Sequence, residues 1–224
     1  MDYELKIHTL ISHLPLFQGM SLAELDNVIA KVPLGFATVG QGEVIAAEGQ
    51  PADRLVFIIQ GDVRVVTYAD DRGYSIEEWM QVPCVLQPER LFGLRQHFSR
   101  TFYADADCRI LYLEKSEAMK LTTSSEIFRL NLMNIVCTMA QRSQRQPWHS
   151  IPKDIRHKVF EFLKNRCMRP AGRKTVNIGM VRLAQELHES RLNVSRELNR
   201  MHSEGIIRLT RGRIIFDAFE KSLS

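Results

Sequence analysis

Between Leu183 and Leu198 the chain reads LAQELHESRLNVSREL, and its polar residues Arg191, Asn193, Ser195 and Arg196 are the side chains best placed to act on a partner. Leu183, Ala184 and Leu187 recur at helical spacing, and so do Val194, Leu198 and Met201. Two short helices over about 180–187 and 191–203, joined by residues 188–190, are therefore expected. Helices joined by so short a turn cross steeply and leave the first turns of the second free to enter the major groove of DNA. The four polar residues lie off the apolar stripe. An arginine there can donate two parallel hydrogen bonds to guanine O6 and N7, worth about 1–3 kcal/mol of base discrimination. Leu192 can touch a thymine methyl, and Ser190 can donate to a phosphate at the helix start. Beyond them, Ile206–Leu209 and Arg213–Phe216 flank Arg211-Gly212 as a small β-hairpin. Arg208, Arg211 and Arg213 on it can reach the flanking DNA backbone.

The charge distribution fits this placement. Residues 151–224 carry 16 Lys+Arg against 8 Asp+Glu, a net +8, whereas residues 1–150 carry 14 against 18, a net −4. A basic segment joined to an acidic one is expected when only one part meets phosphates. A length of 224 residues suits two domains, and 45% hydrophobic residues suit packed cores rather than disorder. The chain has no apolar run long enough for a membrane span and no secretory signal at its start, so a cytoplasmic location is expected. Cys84, Cys108, Cys137 and Cys167 form no CxxC pair, so neither zinc nor an iron–sulfur cluster is expected and the thiols read as idle or buried.

The remaining elements must hold this reading head. Ser21 and Glu24 have capping-box spacing ahead of a short helix with Leu22, Leu25, Val28 and Ile29 on one face. From about residue 34 to 113 the pattern becomes short β-type runs: VIAAEG, LVFIIQG, VRVVTYAD, YSIEEWMQV, RTFYADA and RILYLE. Gly42, Gly49 and Gly61 punctuate them at turns that favour positive φ, which suggests a sandwich or barrel-like roll. Ser116–Leu121 reads as one short helix. Ser124 or Ser125 can cap a longer one from Glu126 to Gln146, with Ile127, Leu130, Met133, Cys137 and Ala140 at spacings of three and four. That stripe suits either pairing with a second copy of the chain or packing on its own domain; a dimer is expected. Gln146-Pro147 and Ile151-Pro152 set a boundary near 147–151. A helix over 153–167, carrying Ile155, Val159, Phe160 and Leu163, and a strand over Thr175–Ile178 follow.

Three stretches, LPLFQGMSLAEL, GEVIAAEGQPADRLVFIIQGDVRV and SRLNVSRELNRMHSEGIIRLTRGRI, resemble the CRP/FNR family of transcription regulators over nearly the whole chain. The resemblance implies an α+β fold in three parts. Residues 1–115 would form a jelly-roll-like double-stranded β-helix of the cyclic-nucleotide-binding type. Residues 116–147 would contain the long dimerisation helix, and residues 148–224 a winged helix-turn-helix.

It also implies a nucleotide pocket, where members that bind cyclic AMP place a Gly-Glu pair on the ribose and an Arg-Ser pair on the cyclic phosphate. Aligning Leu91-Phe92 with the family's Leu-Phe puts Gln87-Pro88 and Phe98-Ser99 at those pairs, so only Ser99 is kept. Pro88 has no carboxylate for a ribose hydroxyl, and Phe98 cannot neutralise a phosphate. Glu89 and Arg100 lie one and two positions off register. A degenerate pocket that binds no cyclic nucleotide is expected, filled by side chains such as Phe98 or holding another small-molecule effector. Haem is not expected either, although His8, His13 and His97 are candidate axial ligands.

The reading helix also departs from the family, because Ser190-Arg191-Leu192-Asn193-Val194 stands where members often have Ser-Arg-Glu-Thr-Val. An operator other than the family's best-known one is therefore expected. Gly179 and Val181 stand where members carry phosphate donors, and His188 where they carry a turn glycine. The expected function is a homodimeric, sequence-specific transcription regulator on double-stranded DNA, with RNA polymerase as a partner by the resemblance. The alternative is an effector-binding or scaffold module without transcriptional activity. No paired acid and base, phosphate-cradling glycine loop or nucleophile elbow is present, so no enzyme is expected.

Overall fold

In the computed structural model of the chain, residues 8–145, 152 and 154–222 are described. They fall into two compact units: one is drawn from Met1–Val63 and Met80–Arg145, the other from Arg64–Trp79 and Gln146–Ser224. The boundary expected near 147–151, and Gln146 at the end of the long helix, lie outside the described residues.

The first unit is a β-sandwich with helices. Strands β1 (Gly35–Val39), β8 (Cys108–Glu114), β3 (Arg54–Gln60) and β6 (Cys84–Leu86) form an antiparallel sheet in the order β1–β8–β3–β6. Strand β2 (Val44–Ala46) pairs with β7 (Thr101–Ala104) across a bulge. The expected runs are present, and β1 and β6 are additional. Gly61 follows β3 at φ 112°, and a Cβ there would come within 2.6 Å of Cys108 Sγ and 2.7 Å of the Asp107 carbonyl oxygen. Only glycine meets both conditions.

Helix α1 (Leu22–Lys31) starts on the expected capping box, with Ser21 Oγ accepting from Glu24 N–H and the Glu24 carboxylate accepting from Ser21 N–H. Leu25 and Val28 are buried as expected, but Leu22 is 70% exposed, because the capped first turn points it away from the core. Helix α2 (Lys115–Ser124) leads into α3 (Glu126–Arg145), whose start is capped by Ser125 Oγ accepting from Phe128 N–H at 3.3 Å. The core joins these helices to the sheet: the Phe17 ring lies 5.6 Å from Phe57 and 5.4 Å from Phe128. Helix α3 buries Phe128 and Leu132 and packs Ile127 partly against the same core. Its other face leaves Leu130, Met133, Cys137 and Ala140 exposed. Among the expected stripe residues, Ile127 thus sides with its own domain and the other four do not. Cys84 and Cys108 are buried thiols, and burial pushes the Cys108 thiol up, away from the reactive thiolate.

The second unit carries α4 (Ile155–Lys164), β9 (Lys174–Ile178), α5 (Met180–Glu186), α6 (Arg191–Ser203), β10 (Arg208–Thr210) and β11 (Arg213–Phe216). It also carries the hairpin of β4 (Val63–Tyr68) and β5 (Tyr74–Met80), whose residues the sequence division set inside the 1–115 domain. The reason is β5, which pairs antiparallel with β9 from Tyr74↔Ile178 to Glu78↔Lys174. Its Ile76 enters a core with Val176, Phe160, Leu183, Val194 and Leu198. Asp154 caps α4 by accepting from His157 N–H. Among the described residues, no helix is long and apolar enough to cross a membrane.

Candidate nucleic-acid interface

Helices α5 and α6 are joined by Leu187–Ser190, and the sharp reversal is made at His188, whose φ is 53°. Left-handed backbone is costly for a residue with a Cβ, so the turn holds His188 in a conformation that glycine would adopt freely. Ser190 then caps α6, its Oγ accepting from Asn193 N–H at 3.2 Å. That bond uses an oxygen lone pair and leaves the hydroxyl proton able to donate elsewhere.

Burial of Val194, Leu198 and Met201 against the core turns the opposite face of α6 outward. Arg191, Leu192, Asn193 and Arg196 are exposed on it, and Ser195 is half-buried. Leu192 is 67% exposed. Beside this face an open cleft of about 730 Å³ runs between the helices, lined by Val181, Gln185, His188, Ser190, Arg191 and Asn193. The expected cluster is therefore assembled on one surface of two short helices. Val181, 57% exposed, and His188 join it; their only sequence signal was their departure from the family pattern.

The hairpin β10–β11 divides the three predicted arginines. Arg211 and Arg213 are exposed. Arg208 faces Asp217 instead, donating from Nε to Oδ2 at 2.9 Å and from Nη2 to Oδ1. That hydrogen bond raises the Arg208 pKa above the ordinary arginine value, so the guanidinium is a charged group already matched by a carboxylate.

In the first unit, the residues aligned with a nucleotide pocket do come together, but around one another. Gln87 stands in left-handed backbone, φ 36° and ψ 57°, ahead of a short 3-10 turn over Pro88–Arg90. Its Nε2 donates to Ser99 Oγ at 2.7 Å while Ser99 N–H donates to its Oε1 at 2.9 Å. The same Nε2 reaches Glu89 Oε1 at 3.4 Å. The Glu89 carboxylate also lies 3.9 Å from Arg90 Nε, so it has a neighbouring cation of its own. Phe98 is 4% exposed and meets the Phe102 ring edge-on at 6.0 Å. Arg100 is half-buried. Among the described residues, no cluster of His, Cys, Asp or Glu suited to a metal ion is found. The candidate haem ligand His8 is paired through Nε2 with Asp26.

Residues 37–125 match the family model of the cyclic nucleotide-binding domain. No curated protein matches the chain. Among solved structures, the sensor domain of the transcriptional regulator DNR from Pseudomonas aeruginosa is similar at 13% identity and a TM-score of 0.51, covering 69% of this chain and 99% of that one. The catabolite activator protein of Thermus thermophilus is similar at 19% identity and a TM-score of 0.48, covering 90% and 93%. The c-di-GMP-responsive global regulator CLP of Xanthomonas campestris follows at 14% identity and 0.48, covering 88% and 99%. The match gives residues 37–125 the fold of a cyclic nucleotide-binding domain, the fold the CRP/FNR resemblance implies for that part of the chain.

Proposed function

We propose that the chain is a sequence-specific DNA-binding regulator of transcription, acting as a homodimer, whose nucleotide pocket is closed to cyclic AMP and cyclic GMP. The observation that carries this reading is the outward display of Arg191, Asn193 and Arg196 on the first turns of α6, beside the α5–α6 cleft. With β10–β11 as the wing, the unit is a winged helix-turn-helix: α6 enters the major groove and α5 crosses the backbone. Arg191 and Arg196 read guanine edges, Ser190 and the exposed wing residues Arg211 and Arg213 hold phosphates, and Leu192 meets a thymine methyl. The net +8 of residues 151–224 supplies the long-range attraction to DNA.

The face of α3 that shows Leu130, Met133, Val136 and Met139 to solvent is the dimer seam; each is at least 37% exposed in the single chain. Two copies place their reading helices about 34 Å apart, in successive major grooves. RNA polymerase as a partner belongs to the same reading and rests on the CRP/FNR resemblance; action in the cytoplasm and the absence of catalysis belong to it as well. The Gln87 amide bonds Ser99 through both its nitrogen and its oxygen, and Ser99 is the one residue kept from the nucleotide-binding pairs. Neither cyclic nucleotide nor haem is a cofactor in this reading, and any signal is a different small molecule.

Binding-site selection from random duplex DNA with the full chain is the test. It is expected to enrich a two-fold symmetric site that differs from the family's best-known operator. Failure to enrich any sequence refutes the function, and recovery of that operator unchanged refutes the altered specificity.

A further inference from the structure

The turn of the β4–β5 hairpin is tied to α5 by charge. Asp71 sits in that turn with its carboxylate fixed at one side: Oδ1 accepts from Gly73 N–H at 2.9 Å. The other oxygen, Oδ2, lies 2.8 Å from Arg182 Nη2. Arg182 Nη2 also meets Glu186 Oε1 at 2.8 Å, one turn on along α5. Glu186 Oε2 in turn accepts from Arg166 Nη2 at 2.8 Å, and Arg166 Nε donates to the Tyr74 hydroxyl at 2.7 Å. The hairpin thus reaches the first helix of the candidate reading head from both ends of one charged chain, at Asp71 and at Tyr74. The buried Glu78–Lys174 pair, 3.0 Å apart, fixes the register that brings the turn there.

Arg182 follows Val181 on α5; it does not line the cleft but points about 100° round the helix from Val181, between the cleft face and the hairpin turn. Its side chain is 35% exposed, and its buried Nε has no hydrogen-bond partner. A guanidinium so placed is suited to a DNA phosphate, but two carboxylates already share its Nη2. Glu186 comes from its own helix, whereas Asp71 is brought by a separate segment and is 52% exposed.

We propose that Arg182 is a DNA-backbone contact masked by the hairpin: Asp71 holds its guanidinium and sets an anion, next to Asp70, beside the path of the phosphates. Release of the hairpin turn frees one cation for DNA and withdraws the opposing charge. DNA affinity is thereby set by the position of residues 69–73, a segment that never touches a base. The inference rests on the DNA-binding reading above.

The test is a salt series of equilibrium binding to the selected duplex with the full chain. The proteins are wild type, Asp71→Asn, Arg182→Gln and the double variant. Asparagine keeps an acceptor for Gly73 N–H, and thermal unfolding of each variant verifies that the fold is kept. Asp71→Asn is expected to bind several-fold more tightly. Its plot of log affinity against log salt should steepen by about 0.9, the slope contribution of one phosphate contact. Arg182→Gln alone should leave the wild-type slope unchanged, and in that background Asp71→Asn should tighten binding less and add no phosphate contact to the slope. Unchanged or weaker binding by Asp71→Asn overturns the proposal. So does equal tightening with and without Arg182, which would mark simple removal of a negative charge. If wild type and variants alike bind no duplex, the DNA-binding reading itself is refuted, and the inference with it.

Discussion

Glu78 and Lys174, distant in sequence, meet across β5 and β9 as an ion pair 3.0 Å long whose side chains are 4% and 1% exposed. The carboxylate is satisfied further by Met168 N–H, at 2.9 and 3.0 Å from its two oxygens. Removing two charges from water costs several kcal/mol per ion, and only mutual attraction with full hydrogen bonding offsets it. The hairpin is therefore an integral strand of the second unit: without it, Lys174 is a buried, uncompensated cation.

Glu78→Leu alone is expected to destabilise the second unit by about 3–5 kcal/mol, the usual cost of stranding one member of a buried pair. Adding Lys174→Met should recover most of the loss, because an apolar pair of similar volume needs no solvation. Denaturant unfolding of the two variants checks this. Equal loss in both would mean that packing, not charge, holds the strand.

The proposed closure of the pocket to cyclic nucleotides makes its own prediction. Wild type titrated with cyclic AMP or cyclic GMP should give no heat at micromolar concentrations. The variant Gln87→Gly/Pro88→Glu/Phe98→Arg removes the amide that bonds Ser99 and restores the family's acidic and basic pair, so it should gain binding. Micromolar binding by the wild type contradicts the role given to Gln87.

Asp154 gives a pH dependence with a definite sign. Its hydrogen bond to the His157 ring, at 2.8 Å, holds the carboxyl below its ordinary range, although burial opposes the shift. A lowered folded-state value means that the cap's contribution is complete above the ordinary carboxylate pKa and is lost as pH falls through the folded value. From about pH 6 to about pH 3, wild type should lose more stability than Asp154→Asn, which caps without titrating. Asp154→Ala should cost about 1 kcal/mol at neutral pH, the usual worth of an N-cap. Thermal melts across that range measure both.

The elements were largely legible because their signals are local. Ser21 and Glu24 announced α1, and the apolar spacing of Leu183 to Met201 announced α5 and α6 to within a residue. Strand β1 was harder: its residues are almost all exposed, and it is held by pairing with β8 rather than by an alternating face. The docking of β5 on β9 is a long-range pairing that no local spacing encodes. One clue was present, since Glu78 shares the strand face of the buried Ile76 two residues earlier, which marks a charge in need of a partner. The bond between Gln87 and Ser99 was half legible. Alignment brought both to the pocket, but that the amide would satisfy Ser99 depends on the left-handed backbone at Gln87.

Sequence-specific reading of DNA by α6 is tested most directly by equilibrium binding of wild type and Arg196→Ala to the selected duplex and to each of its single-base variants. Wild type should lose about 1–3 kcal/mol at each specified position. Arg196→Ala should lose discrimination at one position per half-site and keep it elsewhere. An unaltered preference at every position in Arg196→Ala, or equal binding of the selected and random duplexes by wild type, would contradict it.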